Sequence, residues 1–347
     1  MQVDYIVVGL GLAGLAFTQE LENNNKSFIV FEDKSQNSSL VAGGMYNPVI
    51  LKRFSPVWNA IPQLEKAVVF YKKLEKKLLN IYDYKVDIYR IFKSVEEQNN
   101  WFVACDKPKL SSFMIPKIIH EKYAGIKSEF GFGRIHKAGR IDAINLLNDY
   151  KKYLKVNNQL LYERFEYAEL NILNNRISYK NISSKKVVFC EGFGIKQNPF
   201  FNYLPMQEAK GELITIYAPN LNIDVLIKAA VFVLPLGDNY YRVGATFNWK
   251  DKTLEPTPEG KEELISKLKT FITVPFKITD HKAGIRPTVK DRRPLVGKHP
   301  NHKNLAVLNG LGTRGVMIAP TVAEQLYNHI ENGVDLDSEI SINRFLK

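Results

Sequence analysis

Six residues near the start of the chain restrict its fold more than any other segment. Gly9-Leu10-Gly11-Leu12-Ala13-Gly14 follows Val3 to Val8, a short run of β-branched and aromatic residues, and opens the helix-like stretch Leu12 to Glu22. A second apolar run, Phe28-Ile29-Val30-Phe31, ends at Glu32. Strand, glycine turn, helix and strand in that order form a βαβ unit and predict an α/β fold with a parallel sheet. Each glycine has a physical reason. Gly9 permits the tight turn, Gly11 lets backbone approach a pyrophosphate, and Gly14 lets the helix pack close to the strand. The helix N-terminus, beginning with Leu12 and Ala13, offers free N–H groups and roughly +0.5 of partial charge to phosphates. Glu32, with Asp33 beside it, stands where a carboxylate would grip a ribose hydroxyl pair. The segment is expected to bind a dinucleotide, and by itself it does not choose between FAD and NAD.

Two further glycine turns follow strand-like runs. Cys190-Glu191-Gly192-Phe193-Gly194 ends the stretch from Lys186, and Asn309-Gly310-Leu311-Gly312-Thr313-Arg314-Gly315 lies between the strand Asn304–Leu308 and a helix reaching about Ile330. Three strand–glycine–helix junctions on one sheet would hold an extended dinucleotide along its length. Between them, apolar residues from Ala60 to Tyr82 recur at threes and fours, predicting a long amphipathic helix. Another helix is expected to begin around Gly139-Arg140. Glu212–Tyr217, Ala229–Leu234 and Tyr240–Phe247 read as strands of an antiparallel sheet. The α/β pieces thus sit at the start, middle and end of the chain with β-rich inserts between, which is a discontinuous two-domain pattern.

Composition excludes several classes. A chain of 347 residues with 45% apolar and 24% charged residues lies near the globular average and can bury a large core. Two cysteines, Cys105 and Cys190, are too few for a disulfide framework and fit a reducing, cytoplasmic setting. The six histidines form no HxH or HExxH, so no metal site is expected, and neither GxSxG nor Walker A occurs. The apolar run Tyr5–Phe17 is short for a membrane span and glycines interrupt it. The net charge of +12 is compatible with anionic partners, although the lysines are scattered as on an ordinary solvated surface.

With these motifs in hand, the sequence resembles the D-amino acid oxidase/glycine oxidase family of FAD-dependent amine oxidoreductases over most of its length. Ser39-Leu40-Val41-Ala42-Gly43-Gly44-Met45 is similar to the segment that in the family runs past the isoalloxazine ring. Ala283-Gly284-Ile285-Arg286-Pro287, then Asp291, Pro294, Leu295 and Gly297, resembles the stretch GxRP…D…PxIG. Gly312-Thr313-Arg314-Gly315-Val316 resembles the C-terminal flavin-binding turn. Phe232-Val233-Leu234-Pro235 and Val243-Gly244-Ala245-Thr246 resemble a strand pair of the substrate domain. The resemblance implies a Rossmann-like FAD-binding domain (1–82, 136–205 and 283–347) and a discontinuous α+β substrate domain built on an antiparallel sheet (83–135 and 206–282).

It also implies residue roles. Arg286 and Arg314 match positions that pair with a substrate carboxylate, a task suited to the planar two-pronged guanidinium. The alternative for Arg286 is a structural ion pair, for instance with Asp291. Gly9, Gly11, Leu12, Ala13, Gly14, Glu32, Asp33, Gly43, Gly44, Met45 and Gly192 would hold the cofactor. With them, Gly310, Gly312, Thr313, Arg314, Gly315 and Val316 would present backbone N–H groups to the negative charge that builds on a reduced flavin. Tyr46 with Asn47, and Tyr240 with Tyr241, are candidates for the two walls of the substrate pocket, and Lys52 and Arg53 could add positive charge. Arg242 stands where some relatives carry a lysine for oxygen activation. With no cysteine at the C-terminal turn, the FAD is expected to be non-covalent.

The leading expectation is oxidation of a C–N bond in an amino acid or secondary amine by hydride transfer to flavin N5, with dioxygen or another acceptor taking the electrons. The alternatives are an oxidase acting on an aminomethyl-modified uridine in tRNA, which some family members carry as a C-terminal domain, and a flavin-binding redox partner without turnover.

Overall fold

A computed structural model describes residues 1–120, 123–173 and 176–346. Its first sheet is built on the N-terminal unit. Strands Leu160–Leu161, Phe28–Phe31, Gln2–Val8, Ile182–Phe189 and Leu305–Asn309 run parallel in that order. Antiparallel additions are Leu295–Lys298 beyond Leu305–Asn309, and Ile177–Tyr179 with Leu170–Ile172 on the first half of Ile182–Phe189. The central strand shows why the run is apolar throughout: Tyr5 and Val7 point into one core, and Val3, Ile6 and Val8 into another. Helices Leu12–Asn23 and Gly315–Glu331 pack together on the first face, and Ala60–Leu78 lies against the second of them.

The second sheet has eight strands and is antiparallel apart from the pair Leu226–Lys228 with Ile88–Ile91. Met206–Tyr217 and Lys277–Val289 form its longest ladder. Alternation along these strands divides the side chains. Leu213, Leu226, Phe232 and Leu234 join the core shared with the first sheet, while Ile214, Val233, Tyr241 and Val243 pack under the helix Pro258–Lys269. Met45–Tyr46, Gly139–Ile141 and Asp83–Lys85 make a small third sheet.

Three local expectations are corrected. Gly139-Arg140-Ile141 is strand, and the helix begins after it at Ala143, because the Asp142 side chain accepts the Asn145 N–H as the N-cap. The helix from Ala60 ends at Leu78, where Leu79 turns left-handed at φ 54°. Ile81, inside the span Ala60 to Tyr82 expected to be helical, lies beyond that end and is exposed. The second glycine turn leads into a 3₁₀ turn, Gly192–Gln197, and not into an α-helix. Among the described residues no helix is long and apolar enough to cross a membrane.

Candidate functional site

The N-terminal turn is shaped as its glycines require. Gly9 sits at φ +90°, in the left-handed region. A Cβ on Gly14 would stand 2.1 Å from the Gly9 carbonyl oxygen, so the helix can lie this close to the turn only with glycine there. The Leu10 N–H donates to Glu32 Oε2 at 2.7 Å, and Lys151 Nζ pairs with Glu32 Oε1 at 3.0 Å. The acid at the end of the second strand is thereby aimed at the turn. The Leu12 N–H, at the mouth of the helix, donates to Ser39 Oγ at 3.3 Å, a neutral oxygen where the helix dipole favours an anion.

From this turn a cavity of about 840 Å³ runs between the two sheets. Of the predicted cofactor residues, Gly9, Gly11, Leu12, Ala13, Glu32, Asp33, Gly43, Gly44, Met45 and Gly192 line it, with Gly312 through Val316 closing the far side. Gly14 and Gly310 do not. Gly14 sits behind the turn against Gly9, and Gly310 backs onto Val289 and Leu295. The second and third glycine turns are stitched together: Asn309 Nδ2 donates to the Gly192 carbonyl at 2.9 Å, and Asn309 Oδ1 accepts from the Gly310 N–H. Tyr71 donates to the Val316 carbonyl at 2.8 Å and anchors the third turn from the long helix. Gly192 and Gly312 leave bare backbone: nothing stands within 4 Å of where a Cβ on Gly192 would be, and only Thr288 Oγ1, at 4.0 Å, near one on Gly312. That Thr288 oxygen is itself buried without a partner among the described residues. A long cleft with a helix N-terminus at one end, an acid beside it and exposed backbone donors at the other fits FAD.

The two arginines face the same cavity. Arg286 lies against the bare backbone of Gly211 with its guanidinium 4.1 Å from the Phe247 ring centre. Nη1 donates to the Lys210 carbonyl at 3.3 Å and Nη2 to the Thr246 carbonyl at 3.2 Å. Asp291 is not its partner, because Asp291 pairs with Arg344 at 2.8 Å. Arg314 is the residue just before the helix Gly315–Glu331, and its guanidinium has no hydrogen-bond or ion-pair partner among the described residues. Burial lowers the pKa of Arg286 to about 10, and burial with nearby Arg292 lowers that of Arg314. Two desolvated cations with no anion among the described residues share one wall.

Other candidates stand elsewhere. Tyr46 turns away from the cavity, donating to Asp83 Oδ1 at 2.7 Å and accepting from Lys85 Nζ at 2.9 Å, while its neighbours Met45 and Asn47 line the cavity. Tyr241 is buried under the helix Pro258–Lys269 on the opposite face of the sheet, and Tyr240 is exposed against Tyr217. Arg242 is half-buried near Asp280, Arg140 and Asp142 and does not line the cavity. Lys52 reaches the rim, whereas Arg53 points to solvent.

Sequence reasoning missed several residues in or behind the cavity wall. Glu191 is buried beside Gly192, where it accepts from Asn198 Nδ2 at 2.7 Å and from the Tyr167 hydroxyl, and burial raises its pKa to about 7. Lys151 grips Glu32 from a helix far along the chain. Lys228 lines the cavity from the strand Leu226–Lys228. Only Lys228 had a visible signal, a charged residue at the inward parity of an apolar strand. Cys190 lines the cavity behind Gly9, and burial raises its pKa far above the reactive range.

Comparison with known proteins agrees with this geometry. The profile of a family described as FAD dependent oxidoreductase matches residues 4–328. Glycine oxidase of Bacillus subtilis (strain 168) is 20% identical over 94% of this chain and 92% of its own length. The tRNA 5-methylaminomethyl-2-thiouridine biosynthesis bifunctional protein of Idiomarina loihiensis is 29% identical over 42% of this chain, and the match spans only 25% of that protein. Among solved structures, glycine oxidase from Geobacillus kaustophilus superposes with a TM-score of 0.79 at 18% identity over the whole of both chains. Iminodiacetate oxidase from Chelativorans sp. BNC1 gives the same TM-score at 14% identity, covering 97% of this chain and 99% of its own.

Proposed function

The chain belongs to the family of FAD dependent oxidoreductases, and from that premise we propose that it oxidises a C–N bond of an amino acid or secondary amine. One observation carries the reading: Arg286 and Arg314 line the cavity without a carboxylate partner among the described residues. Each guanidinium offers two parallel donors, and a substrate carboxylate supplies the anion they lack. A charge-assisted bond of this kind contributes about 1.5–3 kcal/mol when made away from water. FAD, which Gly9–Ala13, Gly43–Met45 and Gly312–Val316 would hold, would supply the hydride acceptor and the link to dioxygen or another electron acceptor. The protein's part is orientation: the Arg286 fork, fixed by the Lys210 and Thr246 carbonyls, sets where the carboxylate sits and hence where the adjoining carbon points. An amine that enters neutral needs no side-chain base. Loss of hydride and then an N–H proton gives an imine, which water converts to a carbonyl compound and an amine.

The test is anaerobic mixing of the FAD-loaded protein with glycine, sarcosine, proline and a set of D-amino acids while flavin absorbance is followed. Bleaching by a carboxylate-bearing amine, weakened about 10²-fold in kcat/KM by Arg314→Met, is the expected result. A flavin that stays oxidised with the whole set and still bleaches with dithionite refutes the small-amine reading.

A second reading, an aminomethyl-modified uridine in tRNA as substrate, is favoured by one feature. Phe247 lines the cavity, and it and the neighbouring Trp249 are exposed, 54% and 48% accessible, as a stacking surface for a base. A salt-sensitive tRNA shift in a gel supports it, and no shift at low salt removes it.

A further inference from the structure

Lys228 lines the cavity from the second sheet, and the reading above leaves its charge without a task. It shares the inward parity of its strand with Leu226, and its neighbour in register on the next strand is Phe232. The cations around it have their own anions. Arg90, beside it on the neighbouring strand, is held by Glu97 through Nε and Nη2, and the second Glu97 oxygen accepts the Lys93 N–H at 2.8 Å. Lys267 pairs with Glu263 at 2.6 Å. Lys228 itself has no hydrogen-bond or ion-pair partner among the described residues, and burial, with Arg90 and Lys267 nearby, lowers its pKa to about 8. An ammonium taken out of water without a counter-charge is costly, and such a group in a cleft marks a place for an anion.

The register places this anion site away from the arginines. Lys228 pairs with Phe232, Phe232 with Gly244, Gly244 with Leu213, and Leu213 with Lys282, the strand on which Arg286 lies. Four strand spacings separate Lys228 from the Arg286 strand, about 19 Å at the backbone. Lys228 and Arg286 thus reach into one cavity from well-separated strands and offer an extended molecule two cationic contacts.

We propose that the substrate is an amine carrying two anionic groups, one held by Arg286 and Arg314 and the second, a carboxylate or a phosphate, held by Lys228 on the opposite flank of the cavity. This rests on the amine-oxidising reading and narrows its substrate class.

The experiment is a titration of the FAD-loaded protein followed by perturbation of the flavin spectrum. The probes are linear dicarboxylates (glutarate, adipate, pimelate), monocarboxylates of matched length, and phosphonocarboxylates of matched length, which separate the two sources of the second anion. At least one dianion should bind about ten-fold or more tightly than its matched monocarboxylate, the effect of one added charge-assisted contact. That ratio should collapse toward one in Lys228→Met and persist in Lys228→Arg. A ratio near one in the wild-type protein, which no folding defect can imitate, overturns the proposal. So does a ratio that survives in Lys228→Met. The two readings fail differently. Sarcosine bleaching with a ratio near one keeps the reaction and removes the second anion site, whereas a dianion preference with no amine bleaching the flavin keeps the site and removes the reaction.

Discussion

Gly211→Ala isolates the placement of Arg286 from its presence. An added Cβ would stand 1.9, 2.1 and 2.2 Å from Nη2, Cζ and Nη1 of Arg286. Ordinary contact begins near 3.5 Å, so the guanidinium must retreat by about 1.5 Å. The Phe247 ring, 4.1 Å from the guanidinium, restricts where it can go, and the bonds to the Lys210 and Thr246 carbonyls are only just within range at 3.3 and 3.2 Å. The displaced fork loses both carbonyls and its aim at the carboxylate. A misplacement of about 1 Å is enough to cost about 10²-fold in rate, and loss of the carboxylate contact alone costs about 1.5–3 kcal/mol. The strand itself should tolerate the change. Gly211 is not left-handed, and alanine restricts the unfolded chain, worth about 0.4–1 kcal/mol in favour of folding. Stopped-flow reduction by a carboxylate-bearing amine should therefore show kcat/KM lowered about 10²-fold, in a variant that still unfolds in one cooperative thermal transition, its midpoint lowered by the clash and the two lost carbonyl bonds. A kcat/KM within about three-fold of wild type in the folded variant would refute the assignment of Arg286 as carboxylate anchor.

Two other predictions concern the cofactor end. Gly14→Ala drives a Cβ to 2.1 Å from the Gly9 carbonyl oxygen, so helix and turn must part at a cost of about 3 kcal/mol, and the purified protein should emerge pale. Flavin retained at full occupancy with a melting temperature within about 2 °C of wild type contradicts this. Glu191, its pKa raised from 4.5 to about 7 by burial, binds its proton more tightly folded than unfolded. Its contribution is therefore most favourable below pH 4.5 and is lost as pH rises toward 7, on the order of 3 kcal/mol. Glu191→Gln should flatten the fall in melting temperature between pH 5 and pH 8 (about three units of titration), and superimposable wild-type and variant curves would refute the assignment.

The nucleotide end was legible because its constraints are local. Gly9, Gly14 and Glu32 lie within one βαβ unit, and spacing alone states what each must do. The wall that carries the two arginines was legible only in part. Arg286 and Arg314 were found through the motifs around them, but Gly211, which makes room for Arg286, reads as an unremarked strand glycine because its partner lies on another strand. Tyr46 and Tyr241 show the limit of side-chain type without parity: one step along a strand reverses the face, and each tyrosine fell on the side away from the cavity. Lys151 and Glu191 depend on helix and loop placements that no periodicity encodes.

The order in which the cavity walls occur along the chain governs when the protein can take up its cofactor. The first turn, Gly9–Gly14, leaves the ribosome roughly 300 residues before the closing turn at Gly312–Val316, an interval of about 15–60 s at ordinary synthesis rates. Until then the strand Ile182–Phe189 lacks its neighbour Leu305–Asn309, and the helix Leu12–Asn23 lacks the apolar cover of Gly315–Glu331. A nascent chain stalled before Leu305 should hold no flavin and should present that helix to chaperones, so loading belongs to the finished polypeptide.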